Sequence, residues 1–599
     1  MAIRQGMNRR FITLTTIYLE FDFLNRKPIS FTAPVAIIST TDIEDIPHLI
    51  EQMEEWRNRG YYLAGYISYE AAPAFDSKYK VHHAPNIPLL WFDVFKEPSS
   101  INKTATATGY SISIWQPQTT KQQFIHSIEK IQQMIREGTT KQVNYTTRFL
   151  ADFKGDAYSY YNQLQQNQSA SYRAFLQMNE TKILSLSPEL FFKLDGRNIT
   201  TRPMKGTMRR GYTYKEDQEL KQALYHSTKN RDENRMIANL LKQELATISE
   251  KDTAKITKQF EIETHPTIHQ MTSTVTAELR KDCSMFDWFQ ALFPCSSVTG
   301  EPKVETMEII NQLETTARDV YCGAIGYITP NDEAIFNVPI RTVLIQDNIA
   351  TYGSGSGITA KSDAIEEYQE VIEKTKVITR ETKPVSLLES MRLEKGEIPY
   401  LNQHLTRLKN SAAYFQIPYD QASIQYKIKQ WITSLNPKAT YKIRLVLHSN
   451  GEIDLDAEKL QHINEIYAVL APFPIEKDNV FLYHKTTNRS IYKQFDQSLP
   501  KDYHTTLLWN EEGNITEFTI GNVVIEMNGK LYTPPVSDGL LAGVMRNHLL
   551  AENRLIEKHI RLQELKDAEQ IYFINSVRGW IKVCLKEQES SLTRPHLLQ

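Results

Sequence analysis

Residues 183–206 read ILSLSPELFFKLDGRNITTRPMKG. Two strand-forming runs flank Asp195-Gly196, a turn signal, so the segment reads as a β-hairpin. With a loop of roughly two to four residues, Glu189 on the outgoing strand lies across from a residue near Arg202 to Met204 on the return. A carboxyl group is thereby brought close to Lys205, which sits between Met204 and Gly206 with little bulk after it. Partial burial lowers a lysine's pKa and leaves a neutral amine, the form that attacks carbon. From residue type alone, a solvated lysine beside an edge-strand glutamate is the simpler reading.

The surroundings extend the pattern. YYLAGYISYE (61–70), LLWFDVF (89–95), CGAIGYI (322–328) and FNVPIRTVLI (336–345) read as strands. Residues 121–137 read as a helix with apolar positions at Phe124, Ile128, Ile131 and Ile135, and a long helical stretch follows from about 215 to 248. Gly353-Ser354-Gly355-Ser356-Gly357 reads as a glycine-rich turn before a helix from about 362 to 378. Past Pro384 a fresh pattern starts: strand, tight turn and helix over 386–408, then a second hairpin with Asn450-Gly451 as its turn. The reading is two units, 1–383 and 384–599, without repeats or low-complexity blocks.

A chain of 599 residues at about 100–200 residues per domain implies several domains. Hydrophobic residues make up 41% and charged residues 23%, an ordinary globular balance. Lys+Arg at 69 against Asp+Glu at 71 gives a net charge of −2, which argues against coating nucleic acid or an acidic membrane surface. No run reaches the roughly 18 apolar residues of a spanning helix. The N-terminal MAIRQGMNRRFITLTTIYLEF is broken by threonines, runs into Glu20 and Asp22, and reads as a loose end followed by a strand, not a signal peptide. Cysteines 283, 295, 322 and 584 form no C-x-x-C pair, so a reduced, cytoplasmic protein is expected.

Further candidates stand on helices and loops. Glu233 falls on one face with Met236, Ile237 and Leu240, where a carboxylate must be paired, protonated or metal-bound; a helix-end glutamate reaching solvent accounts for it equally. Glu367 and Glu370, opposite Ile365, Tyr368 and Ile372, read first as a solvated face with a Glu370–Lys374 pair. Together with Glu233 they also make the donor set of a hard cation such as Mg²⁺. Arg341 is a charge in an expected buried strand and calls for an anionic partner, while a lone His269 is more often structural.

At this point the residues resemble a family. SPELF (187–191), RPMKGT (202–207), HQMTSTV (269–275), FPCSSVTGEPK (293–303), YCGAIGY (321–327), FNVPIRT (336–342) and GSGSGI (353–358) are similar to the chorismate-utilising enzymes. Anthranilate synthases carry a small residue where Lys205 stands; the aminodeoxychorismate synthase branch carries lysine. The resemblance implies that Lys205 adds to the chorismate ring with Glu189 as general acid and ammonia then displaces the lysine. It assigns Mg²⁺ to Glu233 and Glu370 with Glu367 nearby, carboxylate binding to Arg341, Tyr321, Thr299 and the Gly355–Gly357 backbone, and an active-site role to His269. The helix MIANLLKQEL (236–245) departs from the family pattern at Asn239 and at Lys242-Gln243-Glu244, as do Ser296 and Glu301. No cysteine sits in a glutaminase-type elbow, so ammonia is expected free or from a separate glutamine amidotransferase subunit.

In the second unit, HLTRL (404–408), KTTNR (485–489), TEFTIGN (516–522) and LAGVMR (541–546) resemble the fold-type IV pyridoxal 5'-phosphate enzymes, with the aminodeoxychorismate lyases the nearest branch. Lys485 alone is one lysine among many. The resemblance makes it the Schiff-base lysine, Glu517 the partner of the pyridine nitrogen, and Arg407 with the backbone at Val544 and Met545 the phosphate site.

The implied architecture is α+β: a two-sheet antiparallel core with helices, followed by a two-lobed cofactor domain forming a homodimer. The implied function is p-aminobenzoate synthesis for folate, from chorismate through 4-amino-4-deoxychorismate. An anthranilate-type first half with an aminotransferase second half is the alternative, as is one half kept as a regulatory module, with YISYE (66–70) where relatives can hold an aromatic amino acid.

Overall fold

The computed structural model describes residues 15–586 apart from 22–26, 84, 101–108, 168–169, 380–384, 498 and 500–501. The expected loose end over 1–14 and the junction near 383 lie outside the described residues. The chain divides into two compact units: Met1–Arg209 with Lys221–Lys383, and Pro384–Gln599 with the excursion Arg210–Leu220.

The first unit is a sandwich of two large antiparallel sheets with helices on both outer faces. One sheet runs through Gly300–Glu301, Gln142–Gly155, Ile349–Ile358, Thr342–Gln346, Thr181–Ser187, Tyr172–Met178, Thr15–Phe21 and Ile29–Thr32. The other runs from Met204–Arg209 through Ile268–Glu278, Asn198–Arg202 and Leu190–Asp195 to Glu333–Asn337 and Ala324–Ile328, and on to Ala36–Thr40. Between them lies an apolar layer in which Ile17, Leu176 and Ile183 of one sheet meet Tyr66, Ile325 and Ile335 of the other. The outer faces are covered separately. Phe192, Trp288, Phe289 and Phe336 share one cluster; Phe124, Ile128, Tyr161 and Val371 belong to the other.

The deciding hairpin forms over Leu190–Asp195 and Asn198–Arg202 only; residues 183–187 belong to a strand of the other sheet, Glu189 falls in the link between the two, and Lys205 lies on a further strand, Met204–Arg209. Asp195 pairs with Asn198 across a turn in which Gly196 takes φ 59, and Leu190 pairs with Arg202. The helix Lys121–Arg136 buries Phe124, Ile128 and Ile131 and is capped by a Thr120–Gln123 box.

Three expectations are corrected. The stretch over 215–248 is two helices, Tyr214–His226 and Thr228–Ala246, because Ser227 leaves helical geometry and caps the second. The GSGSG segment is no turn but half of the strand Ile349–Ile358, paired from Gly353 to Gly357 with Arg148 to Asn144. Its glycines answer close packing: a Cβ at Gly353 would stand 2.5 Å from the Tyr321 ring, and one at Gly355 2.5 Å from the Tyr145 carbonyl oxygen. Arg341 is not within a strand but between two, in the left-handed region at φ 53.

The second unit has two lobes. The smaller packs the antiparallel sheet Leu387–Leu393, Tyr441–Leu447 and Ile453–Lys459 against the helices Leu401–Phe415 and Gln421–Ile432. The larger is an eight-stranded mixed sheet in which Glu465–Leu470 runs parallel to both Thr505–Trp509 and Gly579–Lys586. The four cysteines are free, and no helix among the described residues is long and apolar enough to cross a membrane.

Phe192 is fully buried against Trp288, Phe289 and Phe336. Truncating it to alanine is expected to cost about 3–5 kcal/mol, read as a shift of the first unit's unfolding transition to lower urea.

Candidate active sites

Lys205 owes its direction to a register slip. Between the paired positions Met204–Thr272 and Thr207–Gln270 its strand carries one residue more than its neighbour, a bulge that re-aims side chains. Gly206 takes φ 98, and a Cβ there would lie 3.0 Å from Asn230. The bulged backbone is held by Asn234 Nδ2 donating to the Lys205 carbonyl and Gln270 Nε2 donating to that of Gly206. Opposite, Gly357 leaves the space the amine needs: a Cβ would stand 2.8 Å from Lys205 Nζ and 2.6 Å from Gln142 Nε2.

Among the described residues the Lys205 amine has no hydrogen-bond or ion-pair partner. Burial lowers its pKa; Glu233 opposes that, Lys374 reinforces it, and Glu370 and Glu367 act from further away. Glu189, 4% exposed, accepts a 2.6 Å hydrogen bond from Ser297 Oγ, and its backbone N–H is held by Ser187. Burial raises its pKa to about 7 against the Ser297 bond and the charges of Lys205 and Arg341. A lysine with a lowered pKa and a carboxyl group with a raised one thus share one site, shifts toward the two states that a displacement with general-acid assistance requires.

Arg341 finds no carboxylate partner among the described residues. Burial lowers its pKa, and Tyr352 and Glu189 are the groups that oppose this, so its charge is left facing the site. Thr299 is buried, with its carbonyl accepting from Asn144 N–H. Tyr321 is packed between the Arg148 guanidinium, 5.1 Å from the ring centre, and Gly353. His269 is fully buried, pairs in register with Met208, and has Thr264 Oγ1 3.2 Å from Nδ1.

The buried stripe of the Glu233 helix is Asn234, Ile237, Ala238, Leu241 and Leu245, which puts Glu233 on its border and not within it. On the helix Ala364–Lys374, Ile365 is exposed, contrary to the stripe expected there, and Val371 is the buried contact. Glu370 pairs with Lys374 at 2.7 Å, and the same ammonium donates to the Gly355 carbonyl at 2.8 Å. No cluster of three metal-ligating side chains is assembled among the described residues. Glu370 and the Gly355 carbonyl oxygen share one cation, the Lys374 ammonium, and oxygen donors of this kind fit a hard ion such as Mg²⁺ in chemistry, while Glu233 and Glu367 are not assembled on it.

The departures in the helix after Glu233 compensate one another. Glu244 accepts from Ser296 Oγ at 2.6 Å and pairs with Lys303 at 3.0 Å, while Glu301 pairs with Lys141 at 2.7 Å. Asn239, Lys242 and Gln243 are exposed.

In the second unit Lys485 is tied to the sheet by its backbone: Leu388 N–H donates to the Lys485 carbonyl, and Thr487 N–H to that of Ser386. Its amine has no partner among the described residues, and burial, then the Arg407 charge, lowers its pKa to about 8. Glu517, 3% exposed, accepts from Tyr492 Oη at 2.8 Å and Asn522 Nδ2 at 3.3 Å, and burial raises its pKa to about 7. Asn522 also donates to the Leu541 carbonyl, so the carboxyl group is braced against the loop before the helix Val544–Ala551. That helix has Gly543 at its N-cap and no side chain capping its first N–H groups at Val544 and Met545, a ready anion site. Arg407 Nη1 reaches the Ala542 carbonyl at 3.3 Å. A partnerless amine, a buried acid and an uncapped helix start beside an arginine fit pyridoxal phosphate.

Gln142, Ser297, Lys374, Tyr492 and Asn522 escaped the sequence reading. Ser297 and Gln142 had no signal beyond position; Lys374 was visible only as a surface ion pair.

Residues 98–380 match the family model of chorismate binding enzymes, and residues 386–585 that of amino-transferase class IV. The aminodeoxychorismate synthase component 1 of Klebsiella aerogenes is 34% identical over 290 residues, 48% of this chain and 63% of that relative. Its counterpart in Escherichia coli (strain K12) is 36% identical over 269 residues, 45% of this chain and 59% of that relative. The chain thus spans about three fifths of the length of these relatives. Anthranilate synthase component I from Streptococcus pneumoniae TIGR4 superposes with TM-score 0.53 and 21% identity over 63% of this chain and 95% of its own, sharing the fold. The chain is a fusion of a chorismate-binding domain and a class IV domain.

Gly357→Ala tests the packing at Lys205. Its methyl group would collide with the amine, so any turnover that runs through Lys205 is expected to fall at least about 10²-fold, with the thermal unfolding midpoint moving little.

Proposed function

We propose that this fusion of a chorismate binding enzyme domain with an amino-transferase class IV domain makes p-aminobenzoate from chorismate in two steps, one in each half. The observation that carries the proposal is the pair of amines, Lys205 and Lys485, each shielded from water, each below the ordinary lysine pKa and each without a partner among the described residues.

In the first half, Lys205 attacks the chorismate ring as Glu189 protonates the departing hydroxyl. Ammonia then displaces the lysine, giving 4-amino-4-deoxychorismate, and a separate glutamine amidotransferase subunit supplies the ammonia. Ser297 holds the acid's proton-bearing group in place, and Arg341 binds a substrate carboxylate. Thr299, the Gly355–Gly357 backbone, Tyr321 and His269 complete the substrate pocket. Glu233, Glu367 and Glu370 would hold Mg²⁺, which neutralises a carboxylate of the dianionic substrate. Lysine at position 205 favours this product over anthranilate.

In the second half, pyridoxal 5'-phosphate supplies an electron sink for cleavage next to the amino carbon. Lys485 moves protons, Glu517 presents its acid to the ring nitrogen of the cofactor, and Arg407 with the Val544 and Met545 N–H groups takes the phosphate. Elimination of pyruvate aromatises the ring. The lyase is favoured over an aminotransferase because the neighbouring half makes its substrate. The location of both steps is the cytoplasm.

The full chain given chorismate, ammonia, Mg²⁺ and pyridoxal phosphate should release p-aminobenzoate and pyruvate. Lys485→Ala should let 4-amino-4-deoxychorismate accumulate; anthranilate as the product would overturn the first step, and unchanged p-aminobenzoate formation by the variant the second.

The pH dependence follows from the two required states. Glu189 must hold its proton, so at constant free ammonia kcat/KM for the first step should decline as pH rises through about 7. Lys205 must be neutral, so the rate should also decline on the acid side. Glu189→Gln should lower the rate about 10²–10⁴-fold, with the alkaline limb gone from what remains.

A further inference from the structure

Glu389 is a carboxylate held between an arginine and a histidine with almost no water: it is 2% exposed, beside His404 at 0% and Arg407 at 16%. It lies on the strand Leu387–Leu393, while His404 and Arg407 stand three apart on the helix Leu401–Phe415, one above the other on the face turned to that strand. Arg407 Nε donates to Oε1 at 2.8 Å and Nη2 to Oε2 at 2.6 Å, a side-on bidentate clamp. His404 Nδ1 lies 2.7 Å from Oε2. Burial would raise the carboxyl pKa, but the Arg407 charge and the hydrogen bonds from His404 and Arg407 hold it down at about 2, so the group stays ionised.

Of the five N–H donors of a guanidinium, the clamp consumes those on the Nε side. On the opposite edge Nη1 donates one N–H to the Ala542 carbonyl at 3.3 Å, one residue before the Gly543 N-cap, which leaves one N–H on each Nη for an anion. Glu389 is also adjacent in sequence to Leu388, whose N–H holds the Lys485 carbonyl, so the same strand fixes both the arginine and the lysine loop.

We infer that Glu389, braced by His404, is a positioning residue that aims the free edge of Arg407 at the phosphate of the cofactor. The inference rests on the reading of the second unit as a pyridoxal phosphate domain. A free arginine would have to freeze several rotors on binding; the clamp has ordered it in advance, and the paired charge removes the penalty of an isolated buried cation.

The test compares pyridoxal 5'-phosphate with pyridoxal, which lacks the phosphate, in titrations of the cofactor-free full chain followed by visible absorbance and protein fluorescence. Glu389→Gln, nearly the same shape, should bind the phosphorylated form about tenfold or more weakly, the scale of one charge-assisted hydrogen bond, with pyridoxal affinity unchanged. His404→Gln should give the same split at about threefold, and carries the test alone if thermal melting shows the first variant unfolded. Equal weakening for both ligands would overturn the inference, since the carboxylate then only holds the fold, and so would no change for either. A wild-type chain that binds neither ligand would sink the cofactor reading itself.

Discussion

An uncharged amine is the condition on which the chemistry proposed for both halves depends. In water a lysine is protonated almost all the time, and a protonated amine has no lone pair to give. The chain moves two amines toward the condition by the same means, withdrawal from solvent with no carboxylate in direct contact among the described residues. The supporting charges differ. Around Lys205, Glu233 pulls toward protonation and Lys374 pushes away from it; around Lys485, Arg407 pushes and Glu389 restrains it. Each amine thus sits in a field of both signs, which allows its charge to change during a reaction without leaving a bare ion in the interior.

The acids follow the complementary logic. Glu189 and Glu517 are buried with neutral hydrogen-bond donors, Ser297 and Tyr492 with Asn522, in place of direct ion pairs. A neutral donor lowers a carboxyl pKa less than a cation does, so burial prevails and both titrate near neutrality. Glu389 shows the contrast. Equally buried but clamped by Arg407, it stays ionised. Three glutamates of similar exposure thus take on different duties according to which partners reach them.

Much of this was legible in the sequence, and the exceptions have physical causes. The hairpin around Asp195-Gly196 and the turn at Asn450-Gly451 are local signals, and local signals transfer to structure directly. The bulge at Lys205–Gly206 was not legible, because it is a mismatch between two strands far apart in the chain. The GSGSG segment misled for a related reason. Glycine serves turns and close approach alike, and only the Tyr321 ring and the Gln142 amide, remote in sequence, reveal which. The departures at Glu244 and Ser296 looked like losses one at a time and make sense as a hydrogen-bonded pair. Lys205 and Lys485 could be singled out from resemblance; the residues packed around the first, Gln142 and Ser297, could not.

The slip beside Lys205 sets which way its side chain faces. Side chains on a strand alternate strictly between two faces, so parity is an all-or-nothing property. Inserting a single residue inverts that parity for everything downstream up to the next turn, and no series of small side-chain substitutions can imitate it. The lysine's aim thus depends on the length of this strand relative to its neighbour, with Gly206 at φ 98 beside the extra residue.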